Sequence, residues 1–148
     1  MTRTATVLVS VMFVWSGIAL AQPCTPSRPD AEGPFYKPNA PTRTSIGRGL
    51  LIKGTVRSAR GCGSLGGARL EWWQAGASGQ YDDDHRATMR AGEDGAYRFE
   101  TSVPPAYGGR PPHIHLKVFA SRHRPLITQL YPRPGQTEIG LDFVLVPE

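Results

Sequence analysis

Apolar and polar residues alternate with a period of two along several short stretches of this chain. The clearest stretch is HIHLKVFA, residues 113–120. It places Ile114, Leu116 and Val118 on one face and His113 and His115 on the other. Successive side chains of a β-strand point to opposite faces. The pattern therefore predicts a strand whose apolar face is turned toward a core.

Other stretches between residues 50 and 148 share this character. They are rich in β-branched and aromatic residues, and turn signals such as GCGSLGG and GEDG separate them. No stretch has the sustained period of about 3.6 residues that marks an amphipathic helix. The pattern predicts an all-β fold, an antiparallel β-sandwich of short strands. The predicted strands are LLIKGTV, ARLEWWQA, AYRFET, HIHLKVFA, LITQLY and LDFVLV.

Residues 22–49 lack this alternation and are rich in proline, glycine and small polar residues. Such composition is typical of extended segments and turns. We therefore predict an extended N-terminal arm over residues 22–49, followed by one β-sandwich domain over residues 50–148.

The chain begins with MTRTATVLVSVMFVWSGIALAQ, which has an early arginine, an apolar run from Val7 to Ala21 and an Ala19-Leu20-Ala21 end. A basic start, an apolar middle and an A-x-A end are typical of a secretory signal peptide. The run is shorter than the roughly 18–20 apolar residues that span a bilayer, and an uncleaved anchor is the alternative. We predict a signal peptide over residues 1–21 and a periplasmic or secreted protein without a membrane contact after cleavage.

Both cysteines of the chain, Cys24 and Cys62, follow the predicted cleavage site. An even number of cysteines in an oxidising compartment favours a disulfide. The bond would close a loop of about 39 residues, worth roughly 4 kcal/mol in the chain-entropy model. Two unpaired thiols are the alternative.

The net charge of +5 comes mainly from arginines that are scattered along the chain. Nucleic-acid-binding domains usually concentrate their basic residues in a patch or stripe. The charge distribution therefore argues against a nucleic-acid partner and leaves a small anionic or phenolic partner open.

The polar face of HIHLKVFA has two interpretations. Two histidines one residue apart on a strand lie side by side, where a metal ion can bridge them, but an exposed polar face is an equally good explanation of the pair alone. Tyr107 lies six residues before His113. Six extended residues span at most about 20 Å, so Tyr107 can fold back to the same metal and bring Arg110 beside it.

Five motifs occur in an order that resembles the intradiol ring-cleavage dioxygenases, the family of catechol 1,2-dioxygenases and protocatechuate 3,4-dioxygenases. They are EGPFY, WQAGASGQY, YRFETSVPPAY, RPPHIH and TQLY. The resemblance runs from about Glu32 to the C-terminus, and RPPHIH is close to the family's R-P-A-H-I-H. Only two glycines link Tyr107 to Arg110, where the family usually has a longer loop, and this difference predicts a shallow, open site.

The resemblance implies a mononuclear non-haem Fe(III) site. By position in the motifs, the metal ligands would be Tyr81, Tyr107, His113 and His115. Ferric iron prefers anionic oxygen ligands, and neutral imidazoles complete such a set. A metal ion can displace the phenolic proton, whose pKa is ordinarily about 10.

The resemblance also implies the reaction. In this family a catechol chelates the iron, O₂ attacks the activated ring, and the bond between the two hydroxyl-bearing carbons breaks to give a muconate-type dicarboxylic acid. Arg110 matches the arginine that stabilises negative charge on the substrate, and Gln129 matches a polar residue beside the substrate. The alternative function is a secreted β-sandwich module that binds iron or phenolic compounds without turnover.

The remaining polar and aromatic residues receive simpler interpretations. We expect His85 and His123 to face solvent, and we expect the DDD run at residues 82–84 to form a solvated turn, because it lacks the spaced ligands of a calcium site. Trp72 and Trp73 should point to opposite faces of a strand, with one in the core. Phe35 and Tyr36 either close over the site or pin the arm to the domain; the sequence leaves both open.

Overall fold

The computed structural model describes residues 24–148, so the predicted signal peptide lies outside the described residues. Eight β-strands and a single turn of 3₁₀ helix, Asp83–His85, make up the regular structure of this part of the chain. The strands are β1 (Leu50–Ser58), β2 (Arg69–Gln74), β3 (Arg86–Arg90), β4 (Ala96–Thr101), β5 (Ile114–Phe119), β6 (Leu126–Leu130), β7 (Glu138–Gly140) and β8 (Phe143–Leu145).

The strands form two four-stranded sheets. In the first sheet β1 is central: β4 pairs with one edge, and β7 and β8 pair with successive parts of the other edge. The second sheet has the order β3-β2-β5-β6, and all its neighbouring strands are antiparallel. The predicted all-β sandwich is confirmed, with the addition that β7 and β8 run parallel to β1.

The apolar faces of the two sheets form one hydrophobic core. Trp72 of β2 stacks on Phe99 of β4, with ring centroids 4.3 Å apart, and so connects the two sheets. Ile114, Leu116 and Val118 are fully buried in the same core. Removing a large side chain from water contributes about 1.5–3 kcal/mol, so the alternation seen in HIHLKVFA fixes which face of β5 turns inward.

The arm, residues 24–49, crosses the outer face of the second sheet from one edge to the other. The backbone N–H of Asp30 donates to the carbonyl of Ile127 in β6 at 2.9 Å, and the N–H of Arg43 donates to the carbonyl of Thr88 in β3 at 3.0 Å. Further along, the N–H of Ile46 bonds to β4. Because exposed strand edges promote association with other chains, these contacts also protect the edges of the sandwich.

Strands β3 and β7 were missed by the sequence prediction, whereas each predicted run contains a strand. Ala87 and Met89 of β3 are buried between more exposed neighbours, so β3 has the expected alternation over only five residues. Arginines at both ends gave this stretch the composition of a loop. β7 has only three residues and a single partly buried side chain, Ile139.

Cys24 and Cys62 form a disulfide, and their Cα atoms lie 5.3 Å apart. This separation is normal for a disulfide. The bond ties the start of the arm to the turn after β1, and the N–H of Ser27 then bonds to the carbonyl of Val144 at 3.0 Å. Within residues 24–148, no helix has the length and apolarity needed to cross a membrane.

We expect the Cys24→Ser variant to be less stable by about 2–4 kcal/mol, because the disulfide restricts the unfolded chain. Denaturant unfolding of the wild-type and variant proteins measures this difference. Peptide mapping without reduction checks the pairing itself, and recovery of both cysteines as free thiols in the exported protein would contradict it.

Candidate metal centre and substrate pocket

The candidate site lies on the outer face of the second sheet, beneath the arm. In the sheet register, Trp73 of β2 is opposite His115 of β5, and His115 is opposite Gln129 of β6. His113 immediately precedes β5 and lies on the same face as His115. Although these residues point away from the core, the arm covers them, and all four are buried.

Two ring nitrogens and one phenol oxygen converge at this site. The hydroxyl of Tyr81 lies 3.3 Å from Nε2 of His113 and 3.2 Å from Nε2 of His115. The Pro111 carbonyl lies 2.8 Å from Nδ1 of His113 and accepts its hydrogen, so Nε2 of His113 presents a lone pair to the site. Convergence of neutral nitrogen and phenol oxygen atoms in this way is suited to a cation.

His115 is enclosed by Trp73 and by the arm. Its ring stacks on Trp73 with centroids 5.0 Å apart and an interplanar angle of 10°. The arm passes so close to the ring that a Cβ at Gly33 would lie 3.1 Å from Cε1 of His115. Burial lowers the pKa of His115 to about 4, and the neighbouring His113 and Arg110 contribute to this shift. The imidazole is therefore neutral near pH 7, the form that binds metals.

Tyr107 completes the group of predicted ligands. Its ring meets the edge of the Tyr81 ring, with centroids 5.9 Å apart, and both residues line one pocket. Burial raises the pKa of the Tyr81 phenol; Arg110 opposes this rise and Tyr107 adds to it. Tyr81 is thus a neutral phenol in the protein alone, and only a nearby cation would make its tyrosinate form stable at neutral pH.

A tight hairpin presents Tyr107 and Arg110 side by side. Their backbones exchange two hydrogen bonds, of 3.1 and 2.9 Å, across Gly108 and Gly109. Both glycines have positive φ, 56° and 75°, as a two-residue hairpin turn requires. A Cβ at either glycine would meet no atom within 4 Å, so there is open space beside the turn.

The Arg110 guanidinium is held over the site by Gln129. Its Nη2 donates to Oε1 of Gln129 at 2.7 Å, and Nε2 of Gln129 donates to the carbonyl of Ala31 in the arm at 2.5 Å. The pocket beside these groups has a volume of about 280 Å³. It is lined by Gly33, Pro34, Phe35, Tyr81, Tyr107, Gly108, Arg110, His113 and His115.

The structure therefore brings together the four predicted ligands and Arg110 in one pocket, with Gln129 bonded to the arginine. Within residues 24–148, no three His, Cys, Asp or Glu side chains form a cluster that could hold a metal ion, so a metal here would depend on the tyrosines. A larger groove of about 510 Å³, beside Lys53, Tyr97 and Leu141, has no histidine in its lining.

Comparison with known proteins identifies the family. Residues 31–145 match the family model described as Dioxygenase. This chain belongs to the intradiol dioxygenase family. It is 32% identical to the dioxygenase domain of a dioxygenase carbohydrate-binding protein fusion from Streptomyces sp. SirexAA-E, with a TM-score of 0.75 over 84% of this chain and 100% of that one.

The chain is also similar in sequence or in fold to other intradiol dioxygenases. The chain is 30% identical over 139 residues to a chlorocatechol 1,2-dioxygenase of Cupriavidus pinatubonensis, an alignment that covers 71% of this chain and 54% of that protein. The chain spans about half the length of the curated relatives that it matches. An intradiol ring-cleavage dioxygenase from Tetranychus urticae shares the fold, with a TM-score of 0.74 over 84% of this chain and 96% of that one, at 20% identity.

The prediction that His85 and His123 face solvent is wrong, because both side chains are half-buried. His85 is half-buried beside Gly76, and its Nδ1 lies 2.6 Å from Oδ1 of Asp82. His123 is half-buried as well, with Nε2 at 2.9 Å from Oγ of Ser58. Both rings therefore have structural partners away from the pocket. The side chains of residues 82–84 are exposed, as expected for a solvated turn.

The two arm aromatics, Phe35 and Tyr36, have different contacts, and so do the two tryptophans of β2. Phe35 closes part of the pocket by stacking on Tyr81 at 4.3 Å. Tyr36 instead pins the arm, because its hydroxyl donates to Glu71 at 2.8 Å. Trp72 is in the core, whereas Trp73 is buried behind His115.

Gly33 is a site residue that was not predicted from the sequence, although it lies within the EGPFY motif. This glycine has a φ of +73° and lies against the His115 ring. We expect Gly33→Ala to lower the free energy of unfolding by about 1–2 kcal/mol through its left-handed backbone, and also to displace His115. Metal content and denaturant unfolding measure the two effects.

Gly61 provides a matched control for this substitution. It has the same φ of +73°, but a Cβ at this position would meet no atom within 4 Å. Gly61→Ala should therefore lower stability by a similar amount and leave metal binding unchanged. Equal metal affinity in the two variants would contradict the contact with His115.

Proposed function

We propose that this protein is a non-haem Fe(III)-dependent intradiol dioxygenase, which uses O₂ to cleave a catecholic ring between its two hydroxylated carbons. The observation that carries the proposal is the convergence of the Tyr81 hydroxyl on Nε2 of His113 and of His115, at 3.3 and 3.2 Å, in the pocket that Tyr107 and Arg110 also line. The product would be a muconate-type dicarboxylic acid.

The donor set fits ferric iron. Phenolate oxygen is a hard anionic ligand, which suits a highly charged cation, and imidazole suits iron as well. Tyr81 and Tyr107 would supply two negative charges, and His113 and His115 would supply neutral nitrogens; the neutral form of His115 is favoured by its burial. A ferric ion held there would be chelated by the two oxygens of the catechol and would activate the ring toward O₂.

Arg110 would act on the substrate and not on the metal. Its guanidinium lies in the pocket lining, and it also opposes the burial-induced rise in the pKa of Tyr81. A fixed positive charge in a partly desolvated pocket stabilises negative charge that develops on a bound ring. Phe35 and Pro34 form an apolar wall that would contact the ring and exclude water from one side.

The names of the relatives support a catecholic substrate. They include chlorocatechol 1,2-dioxygenases and a 6-chlorohydroxyquinol 1,2-dioxygenase of Cupriavidus pinatubonensis. A pocket of about 280 Å³ is compatible with a single ring and its substituents. We further propose that the enzyme works in the periplasm or outside the cell, a location that the Cys24–Cys62 disulfide supports.

Oxygen consumption by the purified, iron-loaded protein across a panel of catechols tests this function. We expect uptake of one O₂ for each ring opened, with mass spectrometry showing both oxygen atoms in a dicarboxylic product. An iron-loaded protein that binds catechols but consumes no oxygen would instead be a β-sandwich module that binds iron or phenolic compounds without turnover.

Loss of either tyrosine should change the spectrum of the iron-loaded protein. Ferric tyrosinate is coloured through ligand-to-metal charge transfer, and a phenyl ring has no oxygen to bind iron. We therefore expect Tyr81→Phe and Tyr107→Phe each to lose or strongly weaken the visible band. Tyr36→Phe is the control, since the hydroxyl of Tyr36 bonds to Glu71 outside the pocket lining. Unchanged spectra and iron content in both pocket variants would refute the tyrosinate assignment.

Arg110→Ala should retain iron and lose turnover. An electrostatic donor that acts on developing charge is worth roughly 3–4 kcal/mol, so kcat should fall by about a hundredfold or more, with a smaller effect on KM. Arg110→Lys should rescue only part of the rate, because a point charge does not replace a planar guanidinium. Arg98→Ala, at an exposed position of β4, is the control; a kcat for Arg110→Ala equal to that of this control would exclude the role.

A further inference from the structure

The Arg110 guanidinium has a second partner besides Gln129. Its Nη2 also donates to the hydroxyl of Tyr131, at 3.0 Å. A guanidinium nitrogen of this type carries two hydrogens, and Nη2 uses both, one toward Gln129 and one toward Tyr131. In the described part of the chain, Nε and Nη1 have no protein partner, so they are the N–H groups left for a bound substrate.

The direction of the Tyr131 hydroxyl is set by Asp30. The hydroxyl lies 2.8 Å from Oδ2 of Asp30 and 3.2 Å from Oε1 of Gln129. It has a single proton, and the shorter contact to a carboxylate is the stronger hydrogen bond. The proton therefore goes to Asp30, which leaves an oxygen lone pair facing Nη2 of Arg110.

Asp30 is itself fixed within the arm. Its backbone N–H donates to the carbonyl of Ile127 at 2.9 Å, and the N–H of Ala31 donates to its Oδ1 at 2.7 Å. The bond from Ala31, followed by the bond from Tyr131, lowers the pKa of Asp30 below its ordinary value. Asp30 is thus a carboxylate at neutral pH, as its role of acceptor for Tyr131 requires.

Two hydrogen-bonded paths therefore connect Arg110 to adjacent residues of the arm. One runs through Gln129 to the carbonyl of Ala31, and the other runs through Tyr131 to the carboxylate of Asp30. Both paths begin at the same nitrogen, Nη2. A single hydrogen bond leaves the guanidinium free to swing about it, whereas two bonds from one nitrogen fix the plane of the group.

We propose that Tyr131 and Asp30 are positioning residues, which hold Arg110 so that its Nε and Nη1 groups face the substrate. The inference rests on the proposed function, because it assigns these residues to the same reaction. Neither residue would touch the reacting atoms. Tyr131 would act through Arg110, and Asp30 would act through Tyr131.

The first test is the Tyr131→Phe variant of the iron-loaded enzyme. It removes only the hydroxyl, so the net loss of a typical hydrogen bond should lower kcat by about five- to tenfold. The KM for the catechol and the charge-transfer spectrum should change little. Asp30→Ala should have a similar effect, whereas Asp30→Asn, which keeps an acceptor oxygen, should recover most of the rate.

A double-mutant cycle separates positioning from general loss of structure. If Tyr131 acts only through Arg110, adding Tyr131→Phe to Arg110→Ala should not lower kcat further. Arg98→Ala is the control, because Arg98 lies at an exposed position of β4, in the other sheet. That control should keep kcat within about twofold of wild type, since surface-type changes away from the site have small effects.

The outcomes separate this inference from the proposed function. If Arg110→Ala loses turnover but Tyr131→Phe does not, or if the two losses multiply in the double variant, the positioning role is overturned while the function stands. If the wild-type protein cleaves no catechol, the proposed function fails. A crystal structure of Tyr131→Phe then tests the positioning: a displaced Arg110 guanidinium supports it, and an unmoved one overturns it.

Discussion

The outer face of the β3-β2-β5-β6 sheet has polar side chains that would meet water if the arm did not cross it. His115 is only 2% exposed there, because Trp73 stacks on its ring and Gly33 of the arm lies against its Cε1 atom. This enclosure is the constraint on which the site depends. It fixes the orientation of His115, it requires a glycine with positive φ in the arm, and it brings Phe35 over Tyr81 two residues later.

Burial of these polar groups costs free energy that the protein alone recovers only in part. Nδ1 of His115 has no hydrogen-bond partner within the described residues, and burial raises the pKa of Tyr81. A cation held among the converging nitrogen and oxygen atoms would stabilise the tyrosinate and use the imidazole lone pairs. Metal binding at such a site is coupled to folding. A bound cation would thus offset the cost of burying this set of side chains.

The sequence predicts the parts of this architecture that depend on neighbours along the chain. The alternation in HIHLKVFA is local, so it correctly separates the core residue Ile114 from the site residue His115. Contacts between segments that are distant in the sequence produce no local pattern of this kind. The hydrogen bond from Tyr131 to Asp30 joins residues 101 positions apart, and neither spacing nor composition predicts it. β3 was missed for a different reason. Its terminal arginines suggested a loop, although the strand between them has a short alternation of buried and more exposed residues, and Met89 belongs to the core.

The arm also supplies much of the pocket. Residues 30–35 supply the partners of Gln129 and Tyr131, the backbone beside His115 and the aromatic wall of Phe35. This stretch is anchored on both sides. The disulfide and the Ser27 bond to β8 hold its start, and hydrogen bonds to β3 and β4 hold the chain that follows. The two-residue hairpin contributes Tyr107, Gly108 and Arg110 to the pocket lining. The placement of Arg110 and the closure of the pocket therefore both depend on one tethered segment, so a change that loosens the arm should alter both together.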